Sequence, residues 1–161
     1  MSTPVDRPAS LAVQAAVTSL IDEWAEREEA TNPVVAGVER IPEDRRWLVR
    51  LTGEDKSFIT VWLTLGERTL QYETYFLPAP EEDAATLYEY LLRLNKRLYG
   101  MRFAIGDEDA VYLVVQLPLK FVDDEELDHI IGAAYAYSEQ YFRAALAIGF
   151  ASRLAGGAGR Q

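Results

Sequence analysis

Three neighbouring segments of alternating polar and apolar residues constrain the fold of this chain most strongly. They cover residues 47–52, 58–65 and 69–76, and they are rich in β-branched and aromatic residues. Gly66-Glu67, a Gly-X sequence between the last two segments, is typical of a tight hairpin turn. We therefore expect antiparallel strands, with residues 36–41 as a further short edge strand.

Segments with helical periodicity surround these strands. The first is expected from about Ser10, a suitable N-cap, to Glu29, because Asn32-Pro33 disfavours helical angles. The second is expected to begin at Pro80 and to stop at Gly100. The third should open at Asp123, with Glu126 in the capping-box position.

Two more strands are expected between the second and third helices, over residues 101–105 and 110–117. The predicted order is α-β-β-β-α-β-β-α, with a fourth strand in the first group if residues 36–41 form one. This order is typical of an α+β fold, in which a largely antiparallel sheet is packed with helices. We expect a single domain over residues 10–154, with flexible termini at residues 1–9 and 155–161.

The charge of the chain argues against two classes of partner. Its formal net charge is -10 over 161 residues. Nucleic acids and anionic lipid surfaces are both bound through Lys and Arg, so neither is an expected partner. No signal peptide is visible, the longest apolar run is too short to span a membrane, and cysteine is absent. These features predict a cytoplasmic protein.

Reactive side chains are scarce. His129 is the single histidine, and without cysteine neither a hydrolytic triad nor a structural zinc site can be assembled. Helix capping explains the acidic run 123–126, and a solvated turn explains residues 107–109, better than a metal ion does. We therefore expect no metal, no cofactor and no enzymatic activity, with His129 on the surface.

Aromatic residues on the predicted strands are harder to explain. Phe58, Thr60, Trp62 and Thr64 share one face of their strand, opposite an aliphatic face that should pack against helices. Tyr72 and Phe76 alternate on the next strand. Two explanations stay open: a second layer of core, or a surface for a partner or a second copy, where aromatic residues are enriched.

Several short motifs resemble one known family. The chain is similar to the actinobacterial branch of the YbjN-domain family, whose members are labelled bacterial sensory transduction regulators. The resemblance covers about residues 45–152 and rests on these segments: 60–70 (TVWLTLGERTL), 76–80 (FLPAP), 98–103 (LYGMRF), 109–114 (DAVYLV), 117–119 (LPL), 126–128 (ELD) and 148–150 (IGF).

The resemblance implies a fold more clearly than an activity. The family is similar in fold to type III secretion chaperones, which are small acidic domains that commonly dimerise and hold an extended segment of a client protein. It implies no catalytic residue. A shared fold does not make this chain a secretion chaperone.

Two hypotheses about function follow. The first is a non-catalytic interaction protein, chaperone-like or regulatory, that binds a polypeptide across a sheet edge or face, as a homodimer. Its candidate contact residues are Phe58, Thr60, Trp62, Thr64, Tyr72, Tyr75 and Phe76. The alternative is a small-molecule-binding protein or weak enzyme with a pocket between helices and sheet, anchored by the hydroxyls of Tyr88, Tyr112 and Tyr135.

Overall fold

A six-stranded antiparallel sheet organises the molecule. The structure is a computed structural model, and it describes residues 8–158, with side chains up to residue 155. The strands lie in the order β1-β2-β3-β4-β6-β5. The elements are α1 (Leu11–Thr31), β1 (Val35–Ile41), β2 (Arg46–Thr52), β3 (Phe58–Leu65), β4 (Thr69–Leu77), α2 (Ala84–Asn95), β5 (Arg102–Ile105), β6 (Val111–Pro118), α3 (Asp124–Gly149) and α4 (Ala151–Ala158).

This architecture confirms the α+β prediction. The expected edge strand over residues 36–41 is present as β1, so four strands precede α2. The short helix α4 was not predicted. Of the termini expected to be flexible, residues 1–7 and 159–161 lie outside the described part of the chain. Ala9 donates its backbone N–H to the carbonyl of Glu67, and residues 155–158 belong to α4.

Side chains cap the first and third helices as expected. The Ser10 hydroxyl accepts a hydrogen bond from the Val13 N–H at 3.2 Å. The Asp123 carboxylate accepts one from the Glu126 N–H at 2.8 Å. Both bonds satisfy N–H groups that a helix start leaves without a partner.

The predicted bounds of the second helix are wrong at both ends. Helix α2 begins at Ala84, because Asp83 takes a left-handed conformation with φ of 50°. The residues before it are held by another element, since the N–H groups of Glu81 and Glu82 both donate to the carbonyl of Gly149 at the end of α3. The helix ends at Asn95, whose side chain bonds strand β5.

All three long helices pack on one face of the sheet. Helix α1 contacts β1, α2 contacts β5, and α3 contacts β3 and β4. The predicted aliphatic face of β3 is fully buried beneath them, formed by Ile59, Val61, Leu63 and Leu65. Trp24 from α1 and Trp47 from β2 add the largest side chains of the core, each 1% exposed. The opposite face of the sheet carries no helix among the described residues.

The loop between β2 and β3 is fastened to the rest of the domain. The Glu139 carboxylate, on α3, accepts hydrogen bonds from the N–H groups of Glu54 and Asp55 at 3.0 and 2.8 Å. Lys56 Nζ donates to the Phe76 carbonyl at 2.9 Å, beside the β-bulge of β4. Burial lowers the pKa of Lys56, and nearby Glu139 opposes that shift.

Candidate functional site

The sheet face opposite the helices is the candidate functional site, and we call it the open face. Residues paired across antiparallel strands point to the same side, so the register places them in rows. One row crosses four strands with Leu48, Trp62, Glu73 and Val114. The next row holds Arg46, Thr64, Gln71 and Gln116.

Exposed aromatic side chains lie on β3 and β4, two inner strands of the sheet. Phe58 is 59% exposed and Tyr75 is 42% exposed, which is unusual for side chains of this size. Tyr75 packs edge-on against Tyr112 of β6, with ring centroids 5.6 Å apart. Burial, together with Tyr112 and Glu108, raises the pKa of Tyr75.

Trp62 is held in a fixed position by its neighbour on β2. The guanidinium carbon of Arg46 lies 4.1 Å from the centroid of the Trp62 ring. Arg46 Nε also donates to the Thr64 hydroxyl at 3.1 Å. The Arg46 side chain therefore bridges two predicted site residues and limits the rotamers of the indole ring.

Two of the predicted contact residues are not on the open face. Tyr72 and Phe76 are fully buried on the helix side of β4, so the prediction that they share a surface with Trp62 is wrong. The strand alternates as expected, but Leu70, Tyr72, Thr74 and Phe76 form its inner set. Phe76 packs against Phe103 and Phe142 in the core. Of the two explanations left open for the aromatic residues, core packing therefore accounts for these two.

The open face lacks the acidic excess of the rest of the molecule. The strands place on it three arginines, Arg46, Arg50 and Arg102, and two glutamates, Glu39 and Glu73. The whole chain carries a net charge of -10. A partner approaching this face therefore meets a nearly neutral surface on an otherwise acidic domain.

The two edges of the sheet are partly closed by side chains. At β5, the Asn95 carboxamide accepts from the Phe103 N–H at 2.7 Å and donates to the Phe103 carbonyl at 3.0 Å. At β1, the Glu29 carboxylate accepts from the Val38 N–H. These bonds use main-chain groups that an added strand would need, so the face is more available than the edges.

A second exposed apolar surface lies at one end of the sheet. Leu92 on α2 is 68% exposed and Ile105 on β5 is 53% exposed. They flank a shallow groove of about 180 Å³, which is also lined by Tyr88, Leu91, Asn95, Phe103, Ala104 and Val111. None of the residues that line this groove is charged. We refer to Leu92, Ile105 and Tyr88 as the apolar patch.

The alternative small-molecule site is not assembled where it was expected. Tyr112 lies on the open face, Tyr88 lines the apolar patch, and Tyr135 lies in a different cleft between α1 and α3. His129 is exposed, as predicted, and its ring packs against Tyr99. Within residues 8–158, no cluster of His, Asp and Glu is arranged to hold a metal ion. No helix in that range has the length and apolar character that crossing a bilayer requires.

The fold is that of an α+β domain similar to type III secretion chaperones. A chain of the ExsC–ExsE complex matches 81% of this chain and 93% of its own length, with a TM-score of 0.57 and 18% identity. A chain of the HopA1–SchA chaperone–effector complex matches 84% of this chain and 99% of its own length, with a TM-score of 0.57 and 11% identity. A chain of the complex of the Yersinia pestis type III secretion chaperone SycH with a YscM2 fragment matches 76% of this chain and 96% of its own length, with a TM-score of 0.50 and 18% identity. At such identities the likeness concerns the fold alone.

Sequence comparison then gives the family. The profile of the YbjN family, described as "Putative bacterial sensory transduction regulator", matches residues 19–147. This chain belongs to the YbjN family, as its motifs indicated. Uncharacterized protein Rv0487 of Mycobacterium tuberculosis is 35% identical over 107 residues, which are 66% of this chain and 58% of that protein. Uncharacterized protein ML2442 of Mycobacterium leprae is 29% identical over 109 residues, which are 68% of this chain and 59% of that protein. The chain therefore matches less than two thirds of the length of these relatives.

Proposed function

We propose that this protein is a non-catalytic, cytoplasmic interaction domain that binds a partner polypeptide on the open face. The observation that carries the proposal is the position of the helices. All three pack on one side of the sheet and leave Phe58, Trp62 and Tyr75 on the other. Removing such aromatic surface from water on binding supplies the main favourable free energy of an interface.

The held geometry of Trp62 makes it the expected centre of that interface. Arg46 stacks on the ring, so little side-chain entropy is lost when a partner covers it. Threonines 60 and 64 flank Trp62 on the same strand face and are half-buried. Their hydroxyls can bond polar groups of a partner at the rim of the contact.

The proposed partner is a polypeptide, for two reasons. The open face is broad and shallow, which suits an extended chain better than a small molecule. Chains of similar fold have been solved as chaperone–effector complexes and as a chaperone bound to a protein fragment. Those complexes belong to the other proteins, and they support a polypeptide as the class of partner.

We also propose that the protein is a homodimer and that the apolar patch is the dimer contact. Two copies with a net charge of -10 each repel one another, so their contact should avoid acidic groups. The groove beside Leu92 and Ile105 has no charged lining residue. A twofold contact there would leave both open faces uncovered for partners.

A photo-crosslinking experiment tests the proposed binding face. A photoreactive phenylalanine analogue is placed at Thr60, on the open face, and in a matched control at Ala147, an exposed position on α3. In the native host we expect a polypeptide adduct from position 60 that Trp62→Ala removes. The same adduct from both positions, or an adduct that survives Trp62→Ala, would contradict binding on this face.

A further inference from the structure

A cleft between α1 and α3, away from the open face, has the properties of a binding site. It has a volume of about 380 Å³ and is lined by Trp24, Glu28, Asn32, Val34, Leu51, Asp128, Ile131, Gly132 and Tyr135. The first three of these belong to α1 or its C-cap, and the last four to α3. The proposed function makes no use of this cleft.

The floor of the cleft is apolar and consists of residues that are buried in the core. Trp24 and Leu51 are each 1% exposed, and Ile131 is 7% exposed. The Trp24 indole Nε1–H donates to Asp128 Oδ1 at 2.8 Å, which links the two helices and fixes the carboxylate. Asp128 is an exposed residue and lines the cleft. A ligand in this cleft would therefore contact an apolar floor and a fixed carboxylate at the rim.

The rim of the cleft is negatively charged and its charge is not neutralised. Glu28 on α1 and Asp128 on α3 have no ion-pair partner among residues 8–155. The adjacent cation, Arg27, is engaged by Asp124 at 3.3 Å. No lysine or arginine lines the cleft. Two carboxylates that lack an ion pair within residues 8–155, beside apolar surface, favour a ligand that carries a positive charge on an apolar stem.

Gly132 lines the cleft and borders open space. It lies inside α3, where glycine is less favourable than any ordinary residue except proline. A Cβ at Gly132 would meet no atom within 4 Å, so the folded chain does not require glycine there. Gly149 differs, because a Cβ there would lie 3.1 Å from Leu87 and 3.2 Å from Pro80. An absent side chain at position 132 does, however, leave room for a ligand.

We infer that this cleft binds the side chain of an arginine or lysine presented by a partner polypeptide. The aliphatic stem would lie against Leu51 and Ile131, and the charged end would lie between Glu28 and Asp128. The polypeptide source rests on the proposed function, whereas the preference for a cation rests on the cleft alone. The net charge of -10 also favours the approach of a basic segment over an acidic one.

The test uses small probes and the ¹⁵N-labelled protein. Butylguanidinium is titrated and followed at the indole N–H signal of Trp24 and the amide signal of Gly132, with the uncharged butylurea as the matched probe. We expect saturable shifts with butylguanidinium only, weaker at 0.3 M salt than at 0.05 M because the contact is electrostatic. Equal shifts from butylurea, or none from either probe, would overturn the inference.

Two variants locate the binding. Gly132→Leu adds a side chain to the cleft at a position where a Cβ would meet no atom within 4 Å, and it should abolish the saturable shift at the Trp24 indole. Glu28→Gln removes one carboxylate and should weaken butylguanidinium binding about 3- to 10-fold, whereas Glu125→Gln, an exposed change outside the cleft, should not. Unchanged binding in folded Gly132→Leu would overturn the assignment of the cleft.

A peptide arm tests the source of the cation. The capped peptide Ala-Arg-Ala should bind at least as tightly as butylguanidinium, and the same peptide with citrulline should not bind. If butylguanidinium binds and Ala-Arg-Ala does not, the polypeptide source is wrong. Trp62→Ala should leave these titrations unchanged, since Trp62 lies on the other side of the sheet. The experiments therefore distinguish a failure of the cleft inference from a failure of the proposed binding on the open face.

Discussion

The carboxamide of Asn95 bonds both main-chain groups of Phe103, in the way a neighbouring strand would. Its oxygen accepts from the Phe103 N–H at 2.7 Å, and its nitrogen donates to the Phe103 carbonyl at 3.0 Å. Strand β5 is an edge strand of four residues, so this one side chain covers its middle. Closing the edge hinders uncontrolled strand pairing at β5.

Asn95→Ala should therefore destabilise the domain. It leaves the partly buried N–H and carbonyl of Phe103 without partners, which costs about 1–3 kcal/mol. Chemical denaturation of the variant measures this loss. Lys96→Ala, an exposed change at the next position, should alter stability by less than about 0.5 kcal/mol. Equal stability of the two variants would show that the Asn95 bonds are energetically unimportant.

Gly53 should not tolerate a side chain. A Cβ at this position would lie 2.0 Å from the Lys56 carbonyl oxygen and 2.2 Å from Glu139 Oε1. Gly53→Ala must displace the loop from α3, and we expect a loss of about 1–3 kcal/mol. Gly37→Ala on β1 is the control, because a Cβ there meets nothing within 4 Å. Thermal unfolding that ranks the two variants the other way would contradict the loop contacts described above.

Tyr72 should make stability fall at high pH. Burial, with Glu126 and Asp123 nearby, raises the pKa of Tyr72 well above its ordinary value near 10. The unfolded chain therefore loses this proton first, so the stabilisation present below about pH 10 is lost as pH rises through the folded value. Denaturation of wild type and Tyr72→Phe at pH 8 and pH 11 measures the difference. We expect Tyr72→Phe to reduce the loss.

The same variant tests the cost of an unpaired hydroxyl. Tyr72 Oη is buried and has no hydrogen-bond partner within residues 8–155. Removing it keeps the shape of the ring, so Tyr72→Phe should leave stability at pH 8 unchanged or raise it by about 1 kcal/mol. A loss of more than about 1 kcal/mol at pH 8 would mean that the hydroxyl has a bonding partner in solution.

Gly132→Ala should stabilise the protein. Alanine favours the helix by about 0.8–1.0 kcal/mol over glycine, and position 132 has room for a methyl group. For a chain of this size the melting temperature should rise by about 2–4 °C. Gly149→Ala should lower it, because Leu87 and Pro80 already fill that space. A lower melting temperature for Gly132→Ala would contradict the open cleft.

Leu92→Glu should convert the proposed dimer to a monomer. It places a charge in the apolar patch of each copy, which costs desolvation and repulsion at a twofold contact. Leu92 is 68% exposed in the single chain, so folding should be unaffected. Leu11→Glu, at 82% exposure on α1, is the control. Light scattering at micromolar concentration measures the mass, and a monomeric wild type would refute the dimer.

The sequence predicted the elements well because their periodicity is strong. The alternation along residues 58–65 correctly separated the buried aliphatic set from the outer set. The predicted start of α2 was wrong because a tertiary contact holds these residues. Pro80 and the two glutamates predicted a helix start, but in the fold the N–H groups of Glu81 and Glu82 donate to the Gly149 carbonyl at the end of α3. No local pattern shows a contact almost seventy residues away.

The candidate site was predicted in part. Alternation along β4 shows which residues share a face with Tyr72, but not which face meets the helices. The signal that decides it lies in the hairpin register, since Trp62 pairs with Glu73 and not with Tyr72. Tyr112 and Arg46 were missed as members of the open face because each joins it only through strand pairing. The cleft beside Gly132 depends on the packing of two helices and had no sequence signature beyond an exposed glycine.

The affinity of the open face for its polypeptide is the most direct test of this account. The partner captured by crosslinking at position 60 is titrated into wild type, Trp62→Ala and the control Phe121→Ala, an exposed aromatic residue outside the strands. Trp62→Ala should weaken binding at least about tenfold, as for a central interface residue, with its unfolding transition intact. Dissociation constants within twofold of each other for all three proteins would contradict a function carried by the open face.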